Sequence, residues 1–436
     1  MPAQEMQTSQ KRVLLTNNSL SARAGTECTI RDLSIGLLNR GHRPIVYSPT
    51  LGSLSEEIRV RGIPVIDDLR LLAEAPDIVH GHHFIPTAEA LIHFPSSPAL
   101  FVCHAWEYWM ERPPRFPQIQ MYGAVSEAVR DRLVHSEGIE PSAVIVLLNA
   151  VDLSRVPPRT RELSRQAKSA LCFTARRTHV PVLRTACEQL GIQLSTLGNC
   201  GNRVVGHPER ELIDYDVVFA TGRSAIEALC AGAAVIVCDS HGLGGLVTSE
   251  NYSSFRRLNF ALRSLVKPIS VETIVAELRT FNVDDAARVS ELARSEVSLD
   301  TQLDRLLAIY DSIISTWQQA HTKITAESRN ALLDFLHEAL PRKITDPRWP
   351  WQLERDQLVQ KIDYLDKECA SLQSDLSNER SVRRSIEAQL SKESASRVVA
   401  EQGLRQVHQS HSWRITAPLR WLKDTLSLAG TRRSGN

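Results

Sequence analysis

Short apolar runs alternate with amphipathic stretches over residues 11–150, and this alternation predicts a layered α/β domain. Runs such as Val13–Thr16 and Ala99–Cys103 are short and almost wholly apolar, as expected of buried parallel strands. Helical periodicity falls between such runs, for example at Glu27–Arg40 and Glu127–Glu137. Strands that alternate with helices predict a doubly wound parallel sheet. The other strands predicted here are Pro44–Tyr47, Ile63–Ile66, Asp77–His80, Gln120–Val125 and Val144–Leu148.

A second alternation of the same kind begins at Ala170–Thr174 and runs to about Ile314. The stretch between the two, residues 149–165, is rich in Pro, Arg and Ser and predicts a linker. Two such sheets imply a cleft between them, where ligands bind at the carboxyl ends of the strands. The other strands predicted in this half are Gln193–Leu197, Arg203–Val205, Val217–Ala220 and Ala234–Cys238.

The most informative segment is Asp216–Asp239, DVVFATGRSAIEALCAGAAVIVCD. It predicts a buried strand, a turn at Gly222, a helix with Ser224 as N-cap that ends at Gly232, and a second buried strand. Glu227 then lies in the first turns of a helix at the carboxyl edge of a parallel sheet, where nucleotides bind. A carboxylate there can accept both hydroxyls of a ribose, whereas a solvated one would only favour the helix dipole. From the pattern alone both interpretations stay open.

From residue 351 to 409 proline is absent, charge is high, and apolar residues recur at alternating spacings of four and three. This pattern predicts a coiled coil. Charged residues at 379, 383, 393 and 397 share the frame, so the coil is expected to be weak in its middle, and a solitary helix or partial disorder stays an alternative. The apolar seam comprises Leu358, Ile362, Leu365, Cys369, Leu372, Leu376, Ile386, Leu390, Ala400, Leu404 and Val407.

The sequence HSWRITAPLRWLKDTL follows the heptads and forms a basic–aromatic tail. It suits a membrane interface. Docking on the chain's own core or on a partner fits it equally well. Its characteristic residues are Trp413, Arg414, Ile415, Leu419, Arg420, Trp421, Leu422 and Lys423.

Length and composition bound the remaining possibilities. A chain of 436 residues, 42% of them hydrophobic, suggests two domains and an accessory part. The formal net charge of +1 gives no reason to expect a nucleic-acid partner, and the eight scattered cysteines fit reduced thiols of a cytosolic protein. No signal peptide or bilayer-spanning run is evident, so the catalytic part is expected to be cytoplasmic. The expected division is a disordered N-terminus at 1–10, a first Rossmann-like domain at 11–150, a linker at 151–168, a second Rossmann-like domain at 169–320, a helix and linker at 321–350, a coiled coil at 351–409 and the tail at 410–436.

Histidines follow two predicted strands of the first domain, at His80, His82 and His83 and at His104. Imidazoles at close spacing can ligate zinc, but no cysteine or carboxylate completes a familiar ligand spacing, so no metal site is expected. Aromatic residues beside His104 would offer flat faces to a sugar or lipid, although core or rim positions explain each one equally well. These aromatic residues are Trp106, Tyr108 and Trp109.

The segment around Glu227 resembles the donor-binding signature of two-domain GT-B glycosyltransferases, close to glycosyltransferase family 4. That family's helix reads roughly S-x-x-E-A-x-A-x-G-x-P-V-I, and the resemblance implies that Glu227 binds the nucleotide ribose. A second family glutamate, which contacts the donor sugar, lies eight positions earlier, where this chain has Phe219. The departure bears on donor-sugar handling. The matching residues are Ser224, Glu227, Ala228, Ala231, Gly232, Val235 and Ile236.

The resemblance also implies roles for residues outside that helix. His104 takes the place of a histidine that lines the donor–acceptor cleft and is the expected catalytic residue. Arg176 matches an arginine that neutralises the donor diphosphate. The family's partner lysine is absent, so either Arg177 or His179 compensates or phosphate binding is weaker. The full set expected to bind the donor is Gly25, Arg176, Arg177, Gly222, Ser224, Glu227, Gly242, Gly244 and Gly245.

The implied activity is hexosyl transfer from a nucleotide sugar, with retention at the anomeric carbon and without a metal or any cofactor besides the donor as co-substrate. Tails similar to Ser412–Arg420 recur in glycosyltransferases of bacterial envelope-polysaccharide synthesis, which implies a glycan or lipid-linked acceptor. The heptads predict a homo-oligomer, and the tail predicts attachment at the inner face of the membrane or to a polysaccharide-assembly partner.

Two other functions stay open at this point. A catalytically silent GT-B protein could bind a nucleotide or glycan and act as a scaffold through its coiled coil, and the missing family residues favour it. A GT-B epimerase would need carboxylates around the anomeric carbon, and the sequence shows no convincing set.

Overall fold

The structure is a computed structural model that describes residues 10–106, 109–200, 205–319, 330–335 and 350–431. The chain forms two compact units, Met1–Pro347 and Arg348–Asn436. The first unit contains two α/β domains, and the second is helical.

A seven-stranded parallel sheet forms the core of the first domain, in the order β3-β2-β1-β4-β5-β6-β7. The predicted doubly wound sheet is therefore confirmed. Helices lie between its strands, as a parallel sheet requires. The strands are β1 Arg12–Thr16, β2 Arg43–Tyr47, β3 Val65–Ile66, β4 Ile78–His82, β5 Ala99–Cys103, β6 Ile119–Ala124 and β7 Val144–Val146. The helices are α1 Gly25–Asn39, α2 Ser53–Val60, α3 Phe84–His93 and α4 Glu127–Asp131, the last continuing as a π-helical turn over Arg132–Ser136.

The second domain has a five-stranded sheet in the order β12-β11-β10-β8-β9, whose edge strand β12 is antiparallel to β11. The predicted strand at 203–205 falls mostly outside the described residues. The strands are β8 Ser169–Phe173, β9 Gln193–Thr196, β10 Val217–Ala220, β11 Ala234–Asp239 and β12 Gly242–Leu246. The helices are α5 Val180–Gln189, α6 Pro208–Glu211, α7 Gly222–Cys230, α8 Tyr252–Arg257, α9 Val271–Arg279, α10 Val283–Glu296 and α11 Leu299–Gln319.

Helix α11 corrects the expected domain boundary at residue 320. Its buried residues Leu303, Leu306 and Tyr310 belong to the core of the first domain, not to that of the second. The chain therefore returns to the first domain after α10, and Gly36 makes room for this return because a Cβ there would lie 2.4 Å from Leu303. The expected linker also differs, since its first residue, Val151, is fully buried in the core of the second domain.

Strand β4 ends two residues later than predicted, and this extension determines how the histidines lie. His80 and His82 are inside the strand and not in a loop after it. Side chains two residues apart on a strand point to the same face, so these two imidazoles lie side by side. His83 follows with a left-handed backbone, φ 64°, at the start of α3.

The second unit consists of α12 Pro350–Gln409, α13 His411–Ile415 and α14 Ala417–Thr431. The long helix agrees with the heptad region, but a coiled coil stays a prediction. Seam residues Ile386, Leu390 and Leu404 are 50%, 60% and 58% exposed in the single chain. The disorder expected at 1–10 lies outside the described residues, except at Gln10. Most of the segment 321–350 also lies outside them. Within the described residues no helix has the length and apolarity needed to cross a bilayer.

Candidate active site

A cleft of about 410 Å³ lies between the carboxyl ends of the two sheets. The first domain contributes His104–Trp106, which follows β5, and the start of α4. The second domain contributes Arg176 after β8, His241 after β11 and the segment 258–263 after α8. The structure therefore brings His104 and Arg176, predicted separately from the sequence, to the walls of one cavity.

His104 is held from two sides. Its backbone N–H donates to Oε2 of Glu111 at 2.8 Å, and its Nε2 lies 2.6 Å from Nδ1 of His82. Glu111 is 3% exposed, and its other oxygen lies 3.4 Å from Nε2 of His83. Burial alone would raise the pKa of Glu111, but the bonds from His83 and His104 outweigh it and lower that pKa. A buried carboxylate thus fixes the loop that carries His104.

Three imidazoles form a buried stack behind the cleft. The ring centroids of His80 and His82 are 4.6 Å apart, and those of His82 and His104 are 4.8 Å apart. Tyr310 of α11 closes the far end through a hydrogen bond between its hydroxyl and Nδ1 of His80. Burial lowers the pKa of His80 to about 3 and that of His104 to about 4, and it lowers the pKa of His82 well below 6.5. All three rings are therefore neutral near pH 7.

The stack borders a cavity of about 40 Å³, which is room for a water molecule. Nε2 of His80 and Nε2 of His82 are buried without a hydrogen-bond partner among the described residues. Asp32 and Arg223 line the same cavity. Among the described residues no group of three or more His, Cys, Asp or Glu side chains is arranged to hold a metal ion.

Arg176 reaches the cleft with partners that the sequence did not suggest. Its guanidinium lies 2.9 Å from Nδ1 of His241 and 3.8 Å from Oδ2 of Asp239. Arg177 next to it is exposed. His179 does not replace the missing lysine, because it is 3% exposed, packs against Thr174, and has its pKa lowered by burial. The imidazole in contact with Arg176 is therefore that of His241.

Glu227 lies in the second turn of α7 and is largely buried, with 13% of its side chain exposed. Its Oε1 accepts a hydrogen bond from Nε of Arg223 at 2.8 Å. Burial raises the pKa of Glu227, although Arg223 acts in the opposite direction. Glu227 shares a cavity of about 60 Å³ with Gly25 and Ser224, so three residues predicted to bind the donor do meet.

The predicted N-cap of α7 is wrong by three residues. Thr221 occupies the N-cap position and makes no side-chain capping bond, while Ser224 is the third residue of the helix. Gly222 has φ 58°, a left-handed backbone that favours glycine, and its N–H donates to the carbonyl of Phe260 at 2.9 Å. This early start makes Arg223 the second helical residue, four positions before Glu227 and well placed to bond it.

Arg223 joins the two domains. Beyond Glu227 its guanidinium bonds Oδ2 of Asp32 on α1, and only 9% of the Arg223 side chain is exposed. Arg31 lies 2.7 Å from the other oxygen of Asp32. Burial alone would raise the pKa of Asp32, but Arg223 and Arg31 outweigh it and lower that pKa. Neither Asp32 nor Arg223 was predicted from the sequence, where the spacing of four residues between Arg223 and Glu227 is a local signal for Arg223 alone.

The three glycines after β11 that were predicted to bind the donor lie in a strand and not in a loop. Gly242, Gly244 and Gly245 lie in strand β12, which pairs with β11. A Cβ on Gly245 would lie 2.9 Å from the carboxylate of Glu277, and one on Gly244 would lie 2.8 Å from the Ser264 carbonyl. Close packing therefore explains these glycines, and their binding of the donor stays a prediction. Phe219 is fully buried inside β10.

The neutral histidine stack predicts acid sensitivity of the fold. As pH falls below about 6.5, unfolded histidines bind protons while the folded ones stay neutral to about pH 4 or lower. The free energy of unfolding should therefore fall by about 1.4 kcal/mol per pH unit for each buried histidine. Urea unfolding at pH 7, 6 and 5 measures this slope, and His82→Asn should reduce it by one histidine's share. The exposed His135→Asn serves as a control that leaves the slope unchanged, and an equal slope in His82→Asn would contradict the assignment.

The comparisons with known proteins agree with this two-domain architecture. Residues 23–155 match the family model of Glycosyltransferase Family 4. No curated protein matches the sequence at a significant level. A glycosyltransferase from Rickettsia africae has a similar structure, with 15% identity and a TM-score of 0.53 over 70% of this chain and 99% of that chain. Anabaena HepE in complex with UDP and glucose is also similar, with 13% identity and a TM-score of 0.51 over 70% of this chain and 100% of HepE. The chain thus resembles GT-B glycosyltransferases, and its first domain matches Glycosyltransferase Family 4.

Proposed function

We propose that the protein transfers a hexosyl group from a nucleotide sugar to a cell-surface glycan or its lipid-linked precursor, with retention and without a metal. The observation that carries this proposal is the meeting of His104 and Arg176 across one cleft between two Rossmann-like domains. In the reaction, the bond between the anomeric carbon and the diphosphate breaks, and the acceptor oxygen bonds to that carbon. The acceptor proton leaves with the nucleoside diphosphate.

The residues of the cleft suit that chemistry. Arg176 carries a fixed charge that would stabilise the leaving diphosphate. His104 is neutral near pH 7, so it can hydrogen-bond a sugar or acceptor hydroxyl without adding charge. The Family 4 match of the first domain supports a glycosyltransferase, and the complex of HepE with UDP and glucose supports a nucleotide-sugar donor.

A catalytically silent scaffold is the second candidate, and specific observations favour it. The N–H of Gly222, a residue predicted to bind the donor, is already bonded to Phe260. Glu227 is already bonded to Arg223, and Phe219 lies inside a strand, away from the cleft walls. Such a protein would bind a nucleotide or glycan without transferring it.

We further propose that the second unit assembles the protein and attaches it to the inner face of the membrane or to a polysaccharide-assembly partner. Exposed seam residues on α12 would pair with a second copy of the chain. Ile415, Leu419 and Trp421 are 75%, 70% and 67% exposed beside Arg414 and Lys423, a combination suited to a membrane interface. Oligomerisation would display several such tails and strengthen attachment through avidity.

Transfer itself is tested with His104. We expect His104→Ala to lower turnover at least 100-fold, because an aligned polar group in the cleft is lost. Release of UDP from a panel of UDP-sugars, with and without glycan acceptors, measures this turnover. His104→Gln keeps a polar group, so it controls for an effect that comes only from losing the contact with His82. The melting temperature of both variants should stay near that of the wild type. Full turnover in both variants would refute the role of His104, whereas a wild type without turnover on any donor would favour the scaffold.

Donor binding is tested with Glu227. We expect Glu227→Gln to weaken UDP binding about tenfold, since a charge-assisted hydrogen bond is worth about 1.5–3 kcal/mol. Isothermal calorimetry measures the affinity. Glu188→Gln, an exposed change on α5, is the matched control and should bind as the wild type does. An unchanged affinity in well-folded Glu227→Gln would remove Glu227 from the ribose site.

Assembly is tested with the second unit. A chain ending at Pro347 should stay folded, bind UDP and sediment as a smaller species than the full chain, because it lacks the exposed heptad seam. In the full chain, Leu404→Asp on the seam should dissociate the oligomer. Val399→Asp, outside the seam and 68% exposed against 58% for Leu404, should not. A monomeric full chain at micromolar concentration would contradict the coiled coil. Loss of UDP binding on truncation would place the tail in the catalytic fold.

A further inference from the structure

One stretch of the cleft wall was not predicted from the sequence to belong to a binding site. Residues 258–263, LNFALR, follow α8 and supply five of the residues that line the 410 Å³ cleft. Two consecutive residues of this stretch, Asn259 and Phe260, have left-handed backbones, with φ 56° and 51°. Non-glycine residues rarely adopt this conformation, and two in succession are costly unless the surroundings enforce them.

The surroundings of Phe260 do enforce the turn. Its ring is fully buried and stacks on Phe255, with centroids 6.1 Å apart. Its carbonyl accepts the N–H of Gly222 at 2.9 Å, which ties the turn to the start of α7. The turn is therefore a rigid part of the second domain.

The next residues fasten the turn to the first domain. Arg263 donates to Oδ2 of Asp131 at 2.6 Å, and its guanidinium lies 5.1 Å from the centre of the Trp106 ring. Arg257, just before the turn, donates to both oxygens of Glu127 at 2.7 and 2.6 Å. Both carboxylates lie on α4, so the turn contacts the first domain beside the cavity that His104 lines.

Asn259 is the feature that this rigid turn presents to the cleft. It lines the cavity, is 4% exposed, and its Oδ1 is buried without a hydrogen-bond partner among the described residues. Leaving a buried amide oxygen unpaired is destabilising, and natural proteins rarely do so without a reason. Two side chains on either side of the segment, Arg256 and Ser264, also have a buried atom without a hydrogen-bond partner among the described residues, but they do not line the cleft.

We propose that Asn259 is a substrate-binding residue whose carboxamide bonds a hydroxyl group of the sugar in the cleft. The assignment rests on the proposed glycosyl transfer. A carboxamide offers both an acceptor and a donor, which matches the bonding capacity of a sugar hydroxyl. The neighbouring wall is apolar, with Val129, Leu258 and Leu262, so it suits the carbon face of a sugar ring. The left-handed turn places Asn259 in the wall of the cavity.

The experiment compares three substitutions that separate binding from backbone strain. Asn259→Leu removes the carboxamide at similar size. Asn259→Gly also removes it but adopts the left-handed backbone freely. Asn259→Asp keeps an acceptor oxygen and tolerates the same backbone. Calorimetry with UDP, UDP-glucose, UDP-galactose and UDP-N-acetylglucosamine gives, for each protein, the ratio of sugar-nucleotide affinity to UDP affinity.

We expect Asn259→Leu and Asn259→Gly to lower that ratio about tenfold for the preferred sugar nucleotide, with UDP affinity unchanged. Asn259→Asp should stay within about threefold of the wild type. A ratio in Asn259→Gly equal to that of the wild type would overturn the assignment, as would an equal loss of UDP affinity in all three variants. A wild type that binds neither UDP nor the UDP-sugars would overturn the proposed function, and with it this role of Asn259. That result differs from one in which the wild type binds normally and Asn259→Gly keeps the wild-type affinity ratio, which would overturn the role of Asn259 alone.

Discussion

The guanidinium of Arg223 is the interaction on which the candidate site depends, because it bonds carboxylates from both domains at once. Asp32 comes from α1 and Glu227 from α7, and all three side chains are largely buried. Charges removed from water need complete pairing, and removing one partner of a buried pair costs about 3–5 kcal/mol. The network therefore ties α1 of the first domain to α7 of the second. Arg223 also lines both the cavity beside the histidine stack and the cavity that Gly25 shares with Glu227.

The histidine stack follows from two simple properties of parallel sheets. Side chains two residues apart on a strand share a face, so His80 and His82 of β4 lie together. Neighbouring parallel strands end at the same edge, so His104, directly after β5, comes next to His82. Burial keeps the three imidazoles uncharged near pH 7, and a hydrogen bond between His82 and His104 orients the His104 ring. Tyr310 closes it from a helix more than two hundred residues further along the chain.

Much of the fold could be predicted because its signals are local. Apolar runs bounded by turn residues identified nearly every strand of both sheets. The roles expected of Glu227, His104 and Arg176 came from the resemblance to GT-B glycosyltransferases. The return of α11 to the first domain could not be predicted, because its amphipathic pattern does not indicate which sheet it covers. Ser224 was misplaced because serine favours N-caps generally, whereas the actual start of α7 is set by a tertiary bond from Gly222 to Phe260. Asp32 and Asn259 gave no local signal at all, since their importance comes from partners or cavities distant in sequence.

On the proposed function, the position of Glu227 makes donor binding depend on both domains. A carboxylate offers about four acceptor sites, so the single bond from Arg223 leaves capacity for two ribose hydroxyls. Because Arg223 also bonds Asp32, the orientation of the Glu227 carboxylate depends on the first domain being in place. Closure also excludes water, which strengthens each hydrogen bond inside the cleft. On the proposed function, the ribose site is therefore complete only in the closed arrangement, and the two domains bind the donor jointly even though its predicted contacts lie mainly on the second.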